Sequence, residues 1–216
     1  MLLYAISDRR SLPGDEKQRQ RALVELAGKW ARGGVDFIQI REKDLPAADL
    51  LRLAREIVAM VRSAGTGTTR VLLNGPAKIA VEAAADGWHL PGYVPAGTLE
   101  EARRTFADAG RKAVVSRAVH SSEEAAGAKD AALIEAATLI LFAPVFEKVG
   151  AEESKHGVGL AALAEACRRA NPVPVLALGG VTAENARACI DAGAAGFAAI
   201  RLFLGDEWQG LRDMRR

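Results

Sequence analysis

Eight short apolar runs recur along the chain, at Leu2–Ile6, Phe37–Ile40, Arg70–Leu73, Gly87–Leu90, Ala113–Ser116, Thr138–Phe142, Val173–Leu178 and Ala195–Ile200. Their hydrophobic residues show little alternation, the pattern of strands buried on both faces. Between them apolar positions recur at helical spacing, predicting helices over roughly 17–33, 46–64, 77–85, 98–109, 121–132, 159–170, 183–192 and 206–215. Strands alternating with amphipathic helices build a parallel sheet. Eight such units predict an α/β fold, a single (β/α)8 TIM barrel spanning residues 1–216 as one domain. The competitor is a doubly wound open sheet, which typically carries about five or six strands. No G-x-G-x-x-G follows the first run, so a dinucleotide site is not indicated. No linker or low-complexity tract interrupts the pattern. Gly65–Thr69 joins a helix to a strand and so falls on the face opposite the catalytic one.

Composition narrows the function classes. A chain of 216 residues, 50% hydrophobic and 26% charged, is ordinary for a globular protein with one sizeable core. A net charge of +2 is too small to suggest nucleic acid or an anionic membrane as partner. Arg9-Arg10 and Arg168-Arg169 read as solvated faces. Cys167 and Cys189 fall in predicted helices without disulfide or metal spacing, as expected in a reducing cytoplasm. Met1–Ile6 is followed too soon by Asp8, Arg9 and Arg10 to be a signal peptide, and no apolar run reaches membrane-spanning length.

In a barrel of this kind the chemistry sits at the carboxyl ends of the strands. The seventh run ends in Gly179-Gly180-Val181-Thr182, with a helix expected from about Ala183, and the eighth ends at Ile200-Arg201. These last two corners are where such barrels bind phosphate, through backbone N–H groups that glycine leaves uncovered. The same Gly-Gly pair also makes a plain tight turn. The second run ends in Gln39-Ile40-Arg41-Glu42-Lys43. Arginine there suits an anionic ligand, while Glu42 pairing with Arg41 or Lys43 in solvent accounts equally for the charges. Asn74-Gly75 suits a turn. His89 alternates with Trp88 and reads as structural; His156, in a polar loop, reads as solvated. Leu90, Pro91, Arg117, Pro144, Phe146, Glu147 and Lys148 complete the strand-end set. His120 precedes Ser121 and Glu124, which have capping-box spacing at a helix start. An imidazole fixed at such an entry suits proton transfer near neutral pH, or else packs beside the cap.

Six segments together resemble the superfamily of thiamine phosphate synthase and the TenI-type thiazole tautomerase. They are Tyr4–Asp8, Phe37–Lys43, Asp86–Leu90, Val119–Ala125, Pro144–Phe146 and Ala177–Thr182. The resemblance implies a (β/α)8 barrel that binds a thiazole phosphate at its last two corners. The synthase branch needs Mg²⁺ and carries an aspartate directly after the strand-three asparagine; here that position is Gly75. Its second Mg²⁺-binding aspartate would fall near Val94, where no acid occurs from Pro91 to Leu99. Its Thr-x-Thr-Lys pyrophosphate loop is replaced by Phe146–Ala151. A hard divalent cation without carboxylates lacks its anchoring ligands.

Asn74-Gly75, Leu90-Pro91, Ser116–Ser121 and Val145–Glu147 resemble the tautomerase branch instead. There the histidine matching His120 relocates a proton on a carboxythiazole phosphate. The resemblance thus implies a cytoplasmic isomerase of thiamine biosynthesis with no metal and no cofactor. His120 is its acid/base. Gly179, Gly180, Ile200 and Arg201 hold the phosphate; Gln39, Arg41, Lys43 and Asn74 line the substrate; Leu90 and Phe146 form an apolar wall. The expected partner is the small-molecule thiazole phosphate, not nucleic acid or membrane, and a homo-oligomer is compatible with the chain. Arg201 departs from the small residue usual at its corner. A diverged thiamine phosphate synthase and a non-catalytic thiazole-phosphate-binding protein are the alternatives.

Overall fold

The computed structural model describes residues 1–64, 67–92, 97–127, 138–147 and 156–215. The parallel strands β1 (Leu2–Ile6), β2 (Phe37–Ile40), β3 (Arg70–Leu73), β4 (Gly87–Leu90), β5 (Val114–Val119), β6 (Leu139–Phe142), β7 (Val175–Leu178) and β8 (Gly196–Ala199) close into a barrel in sequence order. Among the described residues the α-helices are α1 (Glu16–Arg32), α2 (Ala47–Ser63), α3 (Ala77–Glu82), α4 (Thr98–Asp108), α5 (Ser122–Gly127), α6 (Gly159–Ala170) and α7 (Ala186–Asp191). The expected (β/α)8 class is therefore the observed one. The chain forms two compact parts. Of the described residues, one holds 1–4, 90–92 and those from 115 to 215; the other holds those from 5 to 89 and from 97 to 114.

The lack of alternation in the strands has a direct cause. Val71, Leu72 and Leu73 in β3, and Ile140, Leu141 and Phe142 in β6, are all fully buried, so successive side chains meet protein on both faces. Two strand starts need glycine. A Cβ on Gly87 would lie 1.8 Å from the Val114 carbonyl oxygen, and one on Gly196 would lie 2.0 Å from that of Leu2. The helices show the complementary pattern. Asp15 caps α1, accepting from the Gln18 N–H at 2.8 Å while Gln18 Oε1 accepts from the Asp15 N–H at 2.8 Å, a reciprocal capping box. In α2, Leu50, Leu53, Ala54, Ile57, Val58 and Val61 form the buried stripe, with Arg52 and Glu56 paired at 3.0 Å on the solvent side.

Some boundaries differ from the sequence expectation. β5 ends at Val119 rather than Ser116, so Arg117 lies inside the strand, not after it. Arg117 hid this, a charged residue that lies half-buried within the strand; before it, Ser116 is fully buried and shares a 2.9 Å hydrogen bond with the Tyr4 hydroxyl. Burial pushes the Tyr4 phenol well above its usual range, so it stays neutral and able to hydrogen-bond. The helix expected from Ala183 starts only at Ala186, because Asn185 Oδ1 accepts the Thr182 N–H at 2.8 Å and holds a turn open before it. The expected 206–215 helix is a 3-10 helix over Glu207–Arg215, anchored by fully buried Trp208, whose ring centroid lies 5.6 Å from that of Phe203. Parts of the expected 121–132 helix and of the Gly65–Thr69 loop lie outside the described residues.

Candidate active site

His120 directly follows β5, and three interactions set its position. Its backbone N–H donates to Glu124 Oε2 at 2.8 Å, and the Glu124 N–H donates to Ser121 Oγ at 3.1 Å. Glu124 thus reaches one residue beyond the expected cap and holds His120 itself. The ring Nδ1 lies 2.8 Å from the Ala143 carbonyl oxygen at the end of β6. A carbonyl can only accept, so Nδ1 carries the hydrogen and the neutral ring presents its lone pair at Nε2. A Cβ on Gly92 would lie 2.7 Å from Nε2, so the bare glycine of the β4–α4 loop leaves room for the ring. The residue as a whole is exposed.

The β7 corner lies in the same compact part. Gly179 and Gly180 have φ of +94° and +64°, conformations that favour glycine. They also allow close packing. A Cβ on Gly179 would lie 2.8 Å from Pro144, and one on Gly180 would lie 2.6 Å from the Glu147 carbonyl oxygen. The Phe146 N–H donates to the Gly179 carbonyl at 3.0 Å, and Asn185 Nδ2 donates to the Gly180 carbonyl at 2.9 Å. The half-buried Gly180 thus serves the tight turn while its own N–H stays available. Among the described residues no hydrogen bond takes up the N–H of Gly180 or Ile200. The β7 corner lacks the immediate helix start that was expected, whereas β8 passes through Ile200 straight into a 3-10 turn over Arg201–Phe203. Leu90 is buried, Phe146 and Ile200 are half-buried, and Arg201 is exposed. Replacing Gly180 with alanine adds a strained φ and a backbone collision. The expected cost is roughly 2 kcal/mol, checked by urea denaturation of the variant.

The other compact part carries Gln39, Arg41, Lys43 and Asn74. Gln39 is buried in β2, Arg41 is half-buried, Lys43 is exposed, and the Asn74 N–H donates to the Ile40 carbonyl at 2.9 Å where β3 ends. Glu42 does not pair with Arg41 or Lys43 in solvent. It is 2% exposed and meets Arg9 Nη1 at 2.9 Å. Arg9 is likewise no solvated residue: it is 3% exposed, while Arg10, Arg168 and Arg169 are exposed as expected. Burial pushes the Glu42 carboxyl up, opposed by hydrogen bonds from Ser7 and Arg9. Among the described residues neither Arg41 nor Lys43 forms an ion pair, so the β2 end presents two uncompensated cations.

His89, read from the sequence as structural, is buried, and its imidazole is pulled down to about 3 by burial first and then by Arg41 and Lys43. It stays neutral beside both cations. Trp88, next to it in β4, donates its Nε1–H to the Gly75 carbonyl at 2.5 Å. His156 is exposed as expected. Val94 and Lys148 lie outside the described residues.

Gly75 tests the fit of a divalent cation at the β3 corner. A Cβ there would lie 3.2 Å from Leu50 Cδ2 and 3.5 Å from Leu73 Cδ2, so this position faces hydrocarbon. That environment does not suit a carboxylate or the hard cation it would hold.

Comparison with known proteins gives a consistent picture. The family described as thiamine monophosphate synthase matches residues 3–203. The chain is 32% identical over 205 residues to a protein of Roseiflexus sp. (strain RS-1) named thiamine-phosphate synthase, covering 94% of this chain and 78% of the relative. It is 36% identical over 205 residues to one of the same name from Methanoculleus marisnigri, covering 94% and 88%. The solved structure of a thiamine phosphate pyrophosphorylase from Pyrococcus furiosus superposes with a TM-score of 0.75 at 23% identity, covering 99% of this chain and 94% of that one, a likeness of fold. The chain belongs to the thiamine monophosphate synthase family.

Proposed function

We propose that the chain is a thiazole tautomerase-like isomerase of thiamine biosynthesis, moving a proton on a carboxythiazole phosphate with His120 as acid and base. The observation that carries this reading is the fixed tautomer of His120: Nδ1–H on the Ala143 carbonyl at 2.8 Å, and a free lone pair at Nε2. Nε2 takes a proton from one ring atom of the substrate. The resulting imidazolium keeps its Nδ1–H bond to the carbonyl and returns a proton from Nε2 to another ring atom. No electron leaves the substrate, so the step needs neither oxidant nor co-reactant. The amides of Gly180 and Ile200 bind the phosphate. The β2 end, in the other compact part, is read separately as an anion-binding end, with Arg41 and Lys43 as its cations and Gln39 and Asn74 on the strand ends there. Phe146 and Leu90 contribute apolar wall.

The names of the relatives favour a second reading, that the chain is a diverged thiamine-phosphate synthase. Against it stands the hydrocarbon around Gly75. One pair of assays separates the two. The purified protein is given carboxythiazole phosphate in chelator, and separately thiazole phosphate with a pyrimidine diphosphate and Mg²⁺. Isomerisation in chelator without thiamine phosphate formation is the expected result. Efficient Mg²⁺-dependent formation of thiamine phosphate establishes the second reading and removes the first.

A further inference from the structure

The β2 end reads Arg41-Glu42-Lys43-Asp44, an alternation of charges in which each acid is next to a base. Left to itself such a segment neutralises its own cations. The fold prevents this with one residue. Arg9 Nη1 lies 2.9 Å from Glu42 Oε2 and 2.8 Å from Asp44 Oδ1, and Nη2 lies 2.8 Å from Asp44 Oδ2. Its Nε donates to Glu16 Oε1 at 2.7 Å, so all three guanidinium nitrogens donate to carboxylates. Ser7 extends the arrangement: its Oγ donates to Glu42 Oε1 at 2.5 Å and accepts the Arg41 N–H at 2.9 Å. Both acids of the segment are therefore drawn to one side, and Asp44, held by Arg9, titrates at about 2.

We propose that Arg9 is a positioning residue that sequesters Glu42 and Asp44, and so keeps Arg41 and Lys43 available for a substrate anion. Only an arginine can do this, because the planar fork spans two carboxylates at once. The inference rests on the reading that the β2 cations meet an anion, whether a carboxylate or a phosphate. It adds a residue that touches no substrate.

The test uses inorganic pyrophosphate as probe, titrated calorimetrically into the 216-residue chain. Removing Arg9 alone would leave the Glu42 carboxylate buried and unpaired, so the background is Arg9→Gln/Glu42→Gln, which leaves Asp44 free to turn to Lys43. This variant is expected to bind the probe roughly five-fold more weakly, the size of a partly exposed ion pair. Adding Asp44→Asn is expected to restore wild-type affinity, which a purely architectural role for Arg9 would not do. Arg9→Lys, with and without Asp44→Asn, repeats the comparison with a charge kept for Glu42 and serves if the first background fails to fold. Wild-type binding that weakens in the background without recovery in the Asp44→Asn variant overturns the sequestering role alone. Wild-type protein that fails to bind, or binds equally after Arg41→Ala/Lys43→Ala, overturns the anion reading of the β2 end and this inference with it.

Discussion

His120→Asn is expected to slow isomerisation of the carboxythiazole phosphate by on the order of 10²–10⁴-fold, the usual contribution of a well-placed general acid/base. Asparagine keeps a donor for the Ala143 carbonyl and leaves the backbone N–H on Glu124 untouched, so the loop remains held. What it lacks is the basic nitrogen. Thiazole phosphate affinity is expected to change little, because the phosphate is assigned to backbone amides at Gly180 and Ile200. A ring that only packed beside the helix cap would give the reverse pattern, a lower melting temperature with the rate preserved. Measuring turnover, affinity and melting on the same preparation separates them, and an unchanged rate in the folded variant eliminates the mechanism. If wild type binds thiazole phosphate and shows neither isomerase nor synthase turnover, the binding-protein alternative replaces both enzymatic readings.

The barrel was legible because burial on both faces leaves a signature that depends only on neighbours in sequence. Runs such as Leu139–Phe142 are apolar throughout and need no partner to be recognised. β5 was cut short after Ser116 for the converse reason: the next residue, Arg117, is charged and reads locally as a strand end, yet it lies half-buried within β5. The site divides in the same way. His120 announced itself through Ser121 and Glu124, all within one turn of chain. The partner that fixes its tautomer, Ala143, lies 23 residues on and offers only a backbone carbonyl, which has no residue identity to read.

Charge sorting at β2 was illegible for a further reason. Proximity in sequence suggested that Glu42 neutralises Arg41 or Lys43, and Arg9-Arg10 looked like an ordinary solvated pair. Arg9 comes to Glu42 across 33 residues because β1 and β2 are neighbours in the barrel, with the Ser7 N–H donating to the Gln39 carbonyl at 2.9 Å. Only closure of the sheet brings them together, and only then does buried charge find its partner.

The second large effect concerns His89 and acid stability. Its imidazole titrates at about 3 in the native protein, pulled down by burial and by Arg41 and Lys43, against an ordinary value of about 6.5 in the unfolded chain. Above pH 6.5 both states carry a neutral ring, and the contribution to stability is fully present. As pH falls from there toward 3, the unfolded chain takes up a proton that the native protein refuses, so stability is lost progressively. The loss amounts to about 3 kcal/mol between pH 7 and pH 4. Urea denaturation of wild type and His89→Gln at the two pH values isolates this contribution from that of the carboxylates. Wild type is expected to lose about 3 kcal/mol more than the variant over that interval. Equal losses would mean that His89 is free to ionise and is not held beside two uncompensated cations. The same experiment reaches the function. An anion bound to Arg41 and Lys43 cancels part of the repulsion that keeps His89 neutral, so it raises the native titration toward the ordinary value. Pyrophosphate at saturating concentration is therefore expected to shrink the difference between wild type and His89→Gln at pH 4, while an anion bound away from β2 leaves it unchanged.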